Sequence, residues 1–346
     1  MKKKSKRCIV PLTLMALLLS GCGEQATAGT NQDRIQSVKQ VNSKVITQTL
    51  RASKEELFEI RKGTLVKYQG EYEQTGEIIL PKEVRRIGKR AFQLSKELRQ
   101  QPIGLLATQK LFIPADVTME EDAFYGAGPL DITLEEGREC VEKRAFRDCT
   151  HYHSRIHVKV PDSVKVVCQE AFCSSGGWLT VELGKGVESL RKYALQGAKC
   201  DKLPTSLREI GSHALGEWGS IPNGLPEGVR YIERHCIDLI YGKIKIPASV
   251  RNIAIGAVEW EEGAEEIGYE VSPDNKNYRS DQNGWLYSKD GKTLYFAYPL
   301  DIGEGIRIPH SVKKVYRKGL MTENNGDLPK GEKIKIYGLN RVKIMD

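Results

Sequence analysis

The sequence predicts a solenoid of short β-strands, and three observations lead to it. First, nine units align on a proline slot, at Leu80-Pro81, Ile113-Pro114, Leu134-Glu135, Val160-Pro161, Leu183-Gly184, Leu203-Pro204, Leu225-Pro226, Ile246-Pro247 and Ile308-Pro309. Most steps are 20 to 26 residues, a period that belongs to stacked repeats; the first is 33 and the last 62, so both carry insertions. Second, two alternating apolar residues usually precede the slot, as in Val158-Lys159-Val160 and Ile244-Lys245-Ile246. A period of two marks a short strand with one buried face. Third, apolar residues recur at fixed offsets after the slot. Val84, Val164 and Val250 come three residues on, Ile87, Val167 and Ile253 six, and a small residue then a larger apolar one at ten and eleven (Ala91-Phe92, Ala145-Phe146, Ala171-Phe172, Ala214-Leu215). Such a ring can be buried only against the coils above and below it.

Taken in order, the chain opens on a targeting segment. Lys2, Lys3, Lys4, Lys6 and Arg7 precede an apolar run from Cys8 to Leu19, too short for an ordinary spanning helix. It closes on Leu18-Leu19-Ser20-Gly21-Cys22, which resembles a bacterial lipoprotein signal. That resemblance implies cleavage after residue 21, lipidation of Cys22, export, and anchoring to a bacterial membrane at the cell surface; a plain secretory signal is the other reading. Without the five positive charges of the signal, the formal +8 falls to +3. This is not the charge footprint of a nucleic-acid binder.

Residues 22–54 form the expected lipidated tether, polar and without proline or aromatics after Glu24. Ile35, Val38, Val41 and Val45 fit one face of a loose helix as well as they fit disorder. Ser53-Lys54-Glu55-Glu56 has the form of a capping box and predicts a short helix over Leu57–Ile60. Leu65–Tyr68 predicts a strand, and the repeat domain runs from there to the C-terminus, over 55–346 in all. Proline suits the slot because it donates no ladder hydrogen bond.

The segments LPKEVRRIGKRAF, VPDSVKVVCQEAF and LPTSLREIGSHAL resemble the bacterial BspA-type leucine-rich repeat, over about Glu77 to Leu320. The resemblance implies a leucine-rich-repeat right-handed superhelix, mostly short β-strands joined by turns or short helical segments. The second unit departs by being one residue short after Val117. The third has Glu135 and Arg138 where Pro and Val are usual. Family members also carry a β-hairpin island, which here fits about 268–300, where Asp290-Gly291 sits between Trp285-Leu286-Tyr287 and Leu294-Tyr295-Phe296. Phe58–Tyr72 looks like a degenerate copy that caps the first edge, and Ile334-Lys335-Ile336 like the strand of a last, incomplete coil.

No nucleophile elbow, H-E-x-x-H or phosphate loop is present in usable form, so the chain is read as non-catalytic and without cofactor. His151-x-His153-x-x-x-His157 is the densest histidine cluster, and a polar loop between units explains it better than a metal site. Six cysteines follow Cys22; Cys149 with Cys173 is the favoured disulfide and Cys140 with Cys168 the next, against buried free thiols. The outward strand column, with Lys243 and Lys333 two residues earlier in their strands, supplies the candidate binding face: Ile79, Phe112, Lys159, Lys202, Lys243, Lys245, Arg307, Lys333 and Lys335. It is apolar at one end and mostly basic at the other, which suits an extracellular protein or an acidic glycan. The resemblance implies an adhesion-type binding module; a structural spacer in the envelope is the alternative.

Overall fold

The computed structural model describes residues 57–70, 72–101, 105–174, 178–215, 224–240, 242–260, 267–299, 305–320 and 334–346. The chain divides into two units, Met1–Lys54 and Glu55–Asp346. Cys22, the tether and the capping box at 53–56 lie outside the described residues. The second unit is a β-solenoid of about ten coils with little helix. Among the described residues no helix is long and apolar enough to cross a membrane.

Each regular coil contributes two strands. The longer one ends at the proline slot, and five of these form a parallel sheet in the order Gly76–Ile78, Gln109–Ile113, Leu130–Leu134, Ile156–Lys159, Leu179–Glu182. Alternate residues such as Leu111, Ile132, Val158 and Val181 are buried and level with one another. At the slot the proline carbonyl accepts the N–H three residues on, as in Val84 N to Pro81 O (3.0 Å) and Val164 N to Pro161 O (3.3 Å). The valine three residues after the slot therefore closes a β-turn and points into the core. A two-residue strand follows, and six of these stack from Cys140–Val141 to Asn252–Ile253.

The turn before the small slot has a backbone signature. Arg90, Asp122, Arg144, Glu170, Tyr193, His213 and His235 all have φ between +50 and +62°, and each stands immediately before the small residue of its coil. The left-handed conformation costs a non-glycine residue about 1–2 kcal/mol. It turns the peptide so that its N–H reaches the next coil, as in Asp122 N to Arg144 O (2.8 Å) and His235 N to Gly256 O (2.7 Å). Two residues later a second such bond follows, as in Phe146 N to Ala171 O (2.9 Å). The small residue carries little bulk where the two backbones meet, and the larger residue after it faces inward. Phe92, Phe124, Phe146 and Phe172 there form a stacked ladder with centroids 4.8, 4.6 and 5.1 Å apart.

Arg138 is a buried charged side chain at a ring position that other coils fill with an apolar residue. Its guanidinium donates to Val117 O (2.6 Å), Pro114 O (3.0 Å) and Glu142 Oε1 (2.8 Å). Glu142 Oε1 also accepts Met119 N, which takes that N–H away from the ladder. The short-strand sheet accordingly breaks here, one part ending at Thr118–Met119 and the next starting at Cys140–Val141. Glu135 compensates for the missing proline in its own way, its carboxylate accepting Ala115 N at 2.8 Å.

Two hairpins interrupt the parallel order. At the start, Phe58–Arg61 pairs antiparallel with Thr64–Tyr68 through Lys62-Gly63, both at positive φ. The predicted helix over Leu57–Ile60 is therefore a strand. Pairing seats Phe58 against Tyr68 at 5.3 Å, whereas one helical turn would bury little and is costly to nucleate. Further on, Tyr278–Ser280, Leu286–Ser288 and Thr293–Phe296 form a three-stranded antiparallel meander, one strand more than the predicted hairpin. Gly268–Val271 just before it is a parallel strand of the array, paired with Lys243–Ile246. The meander meets that strand at a glycine pair, and a Cβ on Gly268 would come within 2.8 Å of Gly284 Cα. In both hairpins the last strand turns its free edge to a coil and pairs parallel: Thr64-Leu65 with Arg86-Ile87, and Thr293-Leu294 with Lys314-Val315.

Candidate ligand-binding surfaces

The outward positions of the long strands are exposed, as strand alternation requires. Ile79 is 59% exposed and Phe112 45%. In register, Phe112 is followed across the sheet by Thr133, Lys159 and Glu182. Beyond Glu182 the ladder shortens to a bridge between Thr180 and Lys199, which puts Asp201 rather than Lys202 level with Glu182. Lys202 is exposed one residue further along.

The basic residues towards the C-terminus do not form one unbroken row. Lys245 stands opposite Glu270, and Lys243 donates from Nζ to Gln282 O of the meander at 3.0 Å. Arg307 is level with Tyr337 and lies 4.4 Å from the centre of its ring. Lys335, two residues earlier, falls level with Gly305 instead of Arg307, because the last strand pairs through Ile336–Tyr337. Lys333 lies outside the described residues.

A second outward row runs Lys110, Asp131, His157, Thr180. His157 is held on both sides, Nδ1 2.9 Å from Asp131 Oδ1 and Nε2 3.1 Å from Glu182 Oε1. The three histidines of the cluster diverge. His151 packs on Tyr125 and Tyr152, His153 turns away at φ 60°, and only His157 lies on the sheet. Among the described residues no three of His, Cys, Asp or Glu are arranged to hold a metal.

The six described cysteines are in no disulfide. Cys149 and Cys173 are not bridged, and register accounts for this. Asp148 N, not Cys149, meets Cys173 O at 2.8 Å, while Cys149 is fully buried and its thiol pKa is pushed up by that burial. Cys168 is half-buried beside Cys140, and loss of solvent, then Cys140, pushes its thiol pKa up to about 11.

Sequence reasoning missed a groove next to the long-strand sheet. Leu94, the 3₁₀ turn at Leu98–Gln100 with Gln101, and Leu106 and Thr108, all from the insertion in the first repeat, form one wall. Tyr152, His153, Ser154, Arg155 and Trp178, from the loops that feed the strands at Ile156 and Leu179, form the other. The hollow holds about 420 Å³. Arg99 lies 4.6 Å over the Tyr152 ring and is fixed by Nε donating to Leu94 O at 2.8 Å. Arg155 lies 5.4 Å over Trp178, which is still 40% exposed. The 33-residue first step signalled the insertion, but nothing in the spacing said which loops it would face.

The family model described as "BspA type Leucine rich repeat region" matches in six copies, over residues 117–238 and 150–261. No curated protein matches the chain. Among solved structures, a leucine-rich repeat protein from Eubacterium ventriosum aligns at 23% identity and TM-score 0.31, over 54% of this chain and 43% of that one. A leucine rich cell surface protein from Faecalibacterium prausnitzii aligns at 20% identity and TM-score 0.40, over 76% and 65%. The pneumococcal vaccine antigen PcpA aligns at 16% identity and TM-score 0.35, over 73% and 53%. The chain thus spans less than two thirds of each of these proteins.

Proposed function

We propose that the protein, whose array over residues 117–261 matches the BspA-type leucine-rich repeat model, is an exported, lipid-anchored binding module of the cell surface that does no covalent chemistry. The observation that carries this reading is the two-sidedness of the long-strand sheet. Its inner residues fill the core, while its outer residues stand exposed at the regular spacing of neighbouring strands. Ile79 and Phe112 give that surface an apolar end, and Lys243, Lys245 and Arg307 give the molecule exposed cations further along the array. Cys22, after the signal-like segment, supplies the anchor in this reading. Acyl chains there contribute about 0.8 kcal/mol per buried CH₂.

The test uses the full chain displayed on cells and its Cys22→Ala variant. On this reading, cells carrying the chain adhere to immobilised matrix protein or acidic glycan better than cells lacking it. Cys22→Ala releases the protein from the membrane fraction and abolishes the difference. A Lys243/Lys245/Arg307→Glu triple change weakens adhesion where the ligand is acidic. Unchanged adhesion together with a weakened envelope in cells lacking the chain identifies a structural spacer instead.

A further inference from the structure

We propose that the groove walled by the first-repeat insertion binds a carboxylated saccharide, its sugar ring packing on Trp178 and its carboxylate pairing with Arg155. This rests on the binding-module reading above and gives it a place and a ligand chemistry. The volume of about 420 Å³ lies within the common range of about 300–1,000 Å³ for small-ligand sites. A shallower hollow adjoins it along the strand ends and shares Thr108, Arg155 and Trp178, so a second ring has room beside the first.

The chemistry of the walls selects the ligand. Arg99 and Arg155 both line the groove, and among the described residues neither makes a salt bridge, although the exposed Glu97 carboxylate on the same insertion feels the charge of Arg99. Cations stacked on aromatic rings keep their outer N–H groups for an incoming anion, and a guanidinium fork matches a carboxylate with two parallel bonds. Asp131, the acid that lines the adjoining hollow with Arg155, is already held by His157. Trp178 offers apolar ring surface, and Thr108 and Gln101 offer the neutral donors and acceptors that hydroxyl groups need.

An extended peptide is the poorer fit. The strands that end here, Leu130–Leu134 and Ile156–Lys159, are paired on both sides, so no free ladder is available for strand addition. Recognition must therefore come from side chains, which suits a ringed, hydroxylated anion.

Isothermal titration of the full chain compares a glucuronic-acid-containing disaccharide with its neutral glucose counterpart. The acidic sugar binds and the neutral one binds at least about tenfold more weakly, while Trp178→Ala and Arg155→Ala each lower affinity about tenfold or more. Both side chains are exposed, so circular dichroism melts of the two variants stay close to that of the unchanged protein. Equal binding of both sugars, no binding of either, or binding that survives the Trp178→Ala/Arg155→Ala double change overturns the proposal. Cell adhesion that persists in that double variant leaves the binding module intact and removes only the groove. A peptide carboxylate that binds in place of the sugar overturns the ligand class.

Discussion

The coils before and after Leu195 solve the same packing problem with opposite arrangements. In the earlier coils the rings are inside, as the Phe92–Phe124–Phe146–Phe172 ladder, and the left-handed turn positions hold charges, Arg90, Asp122, Arg144 and Glu170, with Asp122 buried beneath its arginine partners. Asp122, Arg144, Arg147 and Glu170 are joined there by ion pairs, including Arg147 Nε to Asp122 Oδ1 at 2.8 Å. In the later coils the inner slot holds Leu195, Leu215, Ile237 and Val258, and the rings have moved outside. Tyr193, His213 and His235 stack at the left-handed positions, with centroids 4.7 and 5.2 Å apart. The coil spacing near 5 Å suits a π-stack on either side of the backbone, so the family pattern fixes where a contact is made and not which chemistry makes it. The sheet follows the same division. Five long strands are continuous up to Glu182; among the described residues the later strands that end at a slot are paired two by two, Lys243–Ile246 with Gly268–Val271 and Ile306–Arg307 with Ile336–Tyr337.

The largest expected effect comes from emptying the inner slot on each side of this boundary. Phe146→Ala removes a ring stacked on both faces and should cost about 3–5 kcal/mol, against about 2–5 kcal/mol for Leu215→Ala. Urea denaturation of both variants measures the difference, and a cost at Leu215 equal to or above that at Phe146 would remove the aromatic ladder as the distinguishing support of the earlier coils.

Arg138 gives a second way to sharpen the contrast, because it breaks the ring only on the earlier side. Arg138→Ala takes the guanidinium from Val117 O and Pro114 O and leaves Glu142 without its cation, and should cost about 3–5 kcal/mol. Arg138→Val with Glu142→Ala restores the apolar slot used by other coils and should cost much less. Thermal melts of the two proteins decide it; equal losses would mean that the guanidinium serves only as volume.

The smallest effect concerns the outer ladder. His213→Ala loses stacking on two sides, each worth about 0.5–1.5 kcal/mol, and keeps a Cβ at φ 54°. His213→Gly loses the same stacking but relieves the left-handed strain, so it should be the more stable of the pair by up to about 1 kcal/mol. The reverse order in chemical denaturation would show that backbone strain at these turns is negligible.

Much of this architecture could be read from spacing, because burial imposes a periodicity. The strands before the slots at Ile113, Leu134, Val160, Leu183, Ile246 and Ile308, the apolar residue after the slot and the Ala-Phe pairs sit where the offsets put them, whereas Leu203 is preceded only by a bridge. Arg138 and Glu135 were visible as departures, though not as a sheet break, since that depends on where a guanidinium finds its carbonyls. The left-handed column was not legible, because Arg, Asp, Glu, Tyr and His share no side-chain property, only a backbone angle. Register at the last coil was misjudged by two residues, as the pairing of Arg307 with Tyr337 shows. An alternating strand such as Ile334-Lys335-Ile336 keeps its buried face after a shift of two, so hydrophobicity cannot fix the alignment. The capping box misled at Leu57–Ile60 because local signals there yield to a partner strand only a few residues away.

The two hairpins have a consequence for how the chain assembles. Each is an antiparallel pair closed by a short turn, and each offers a coil one ready-made edge. Hairpins form in about 1–10 μs, well before distant parallel strands can meet. The meander also marks where the buried core divides: Leu294, Ile306, Val312 and Val315 belong to a cluster separate from the one that begins at Leu65. Within the one solenoid of Glu55–Asp346 the core is thus in two parts, each with a hairpin at its start. Growth can start at Phe58 or at Tyr278, and damage to the last coils need not travel back to the first.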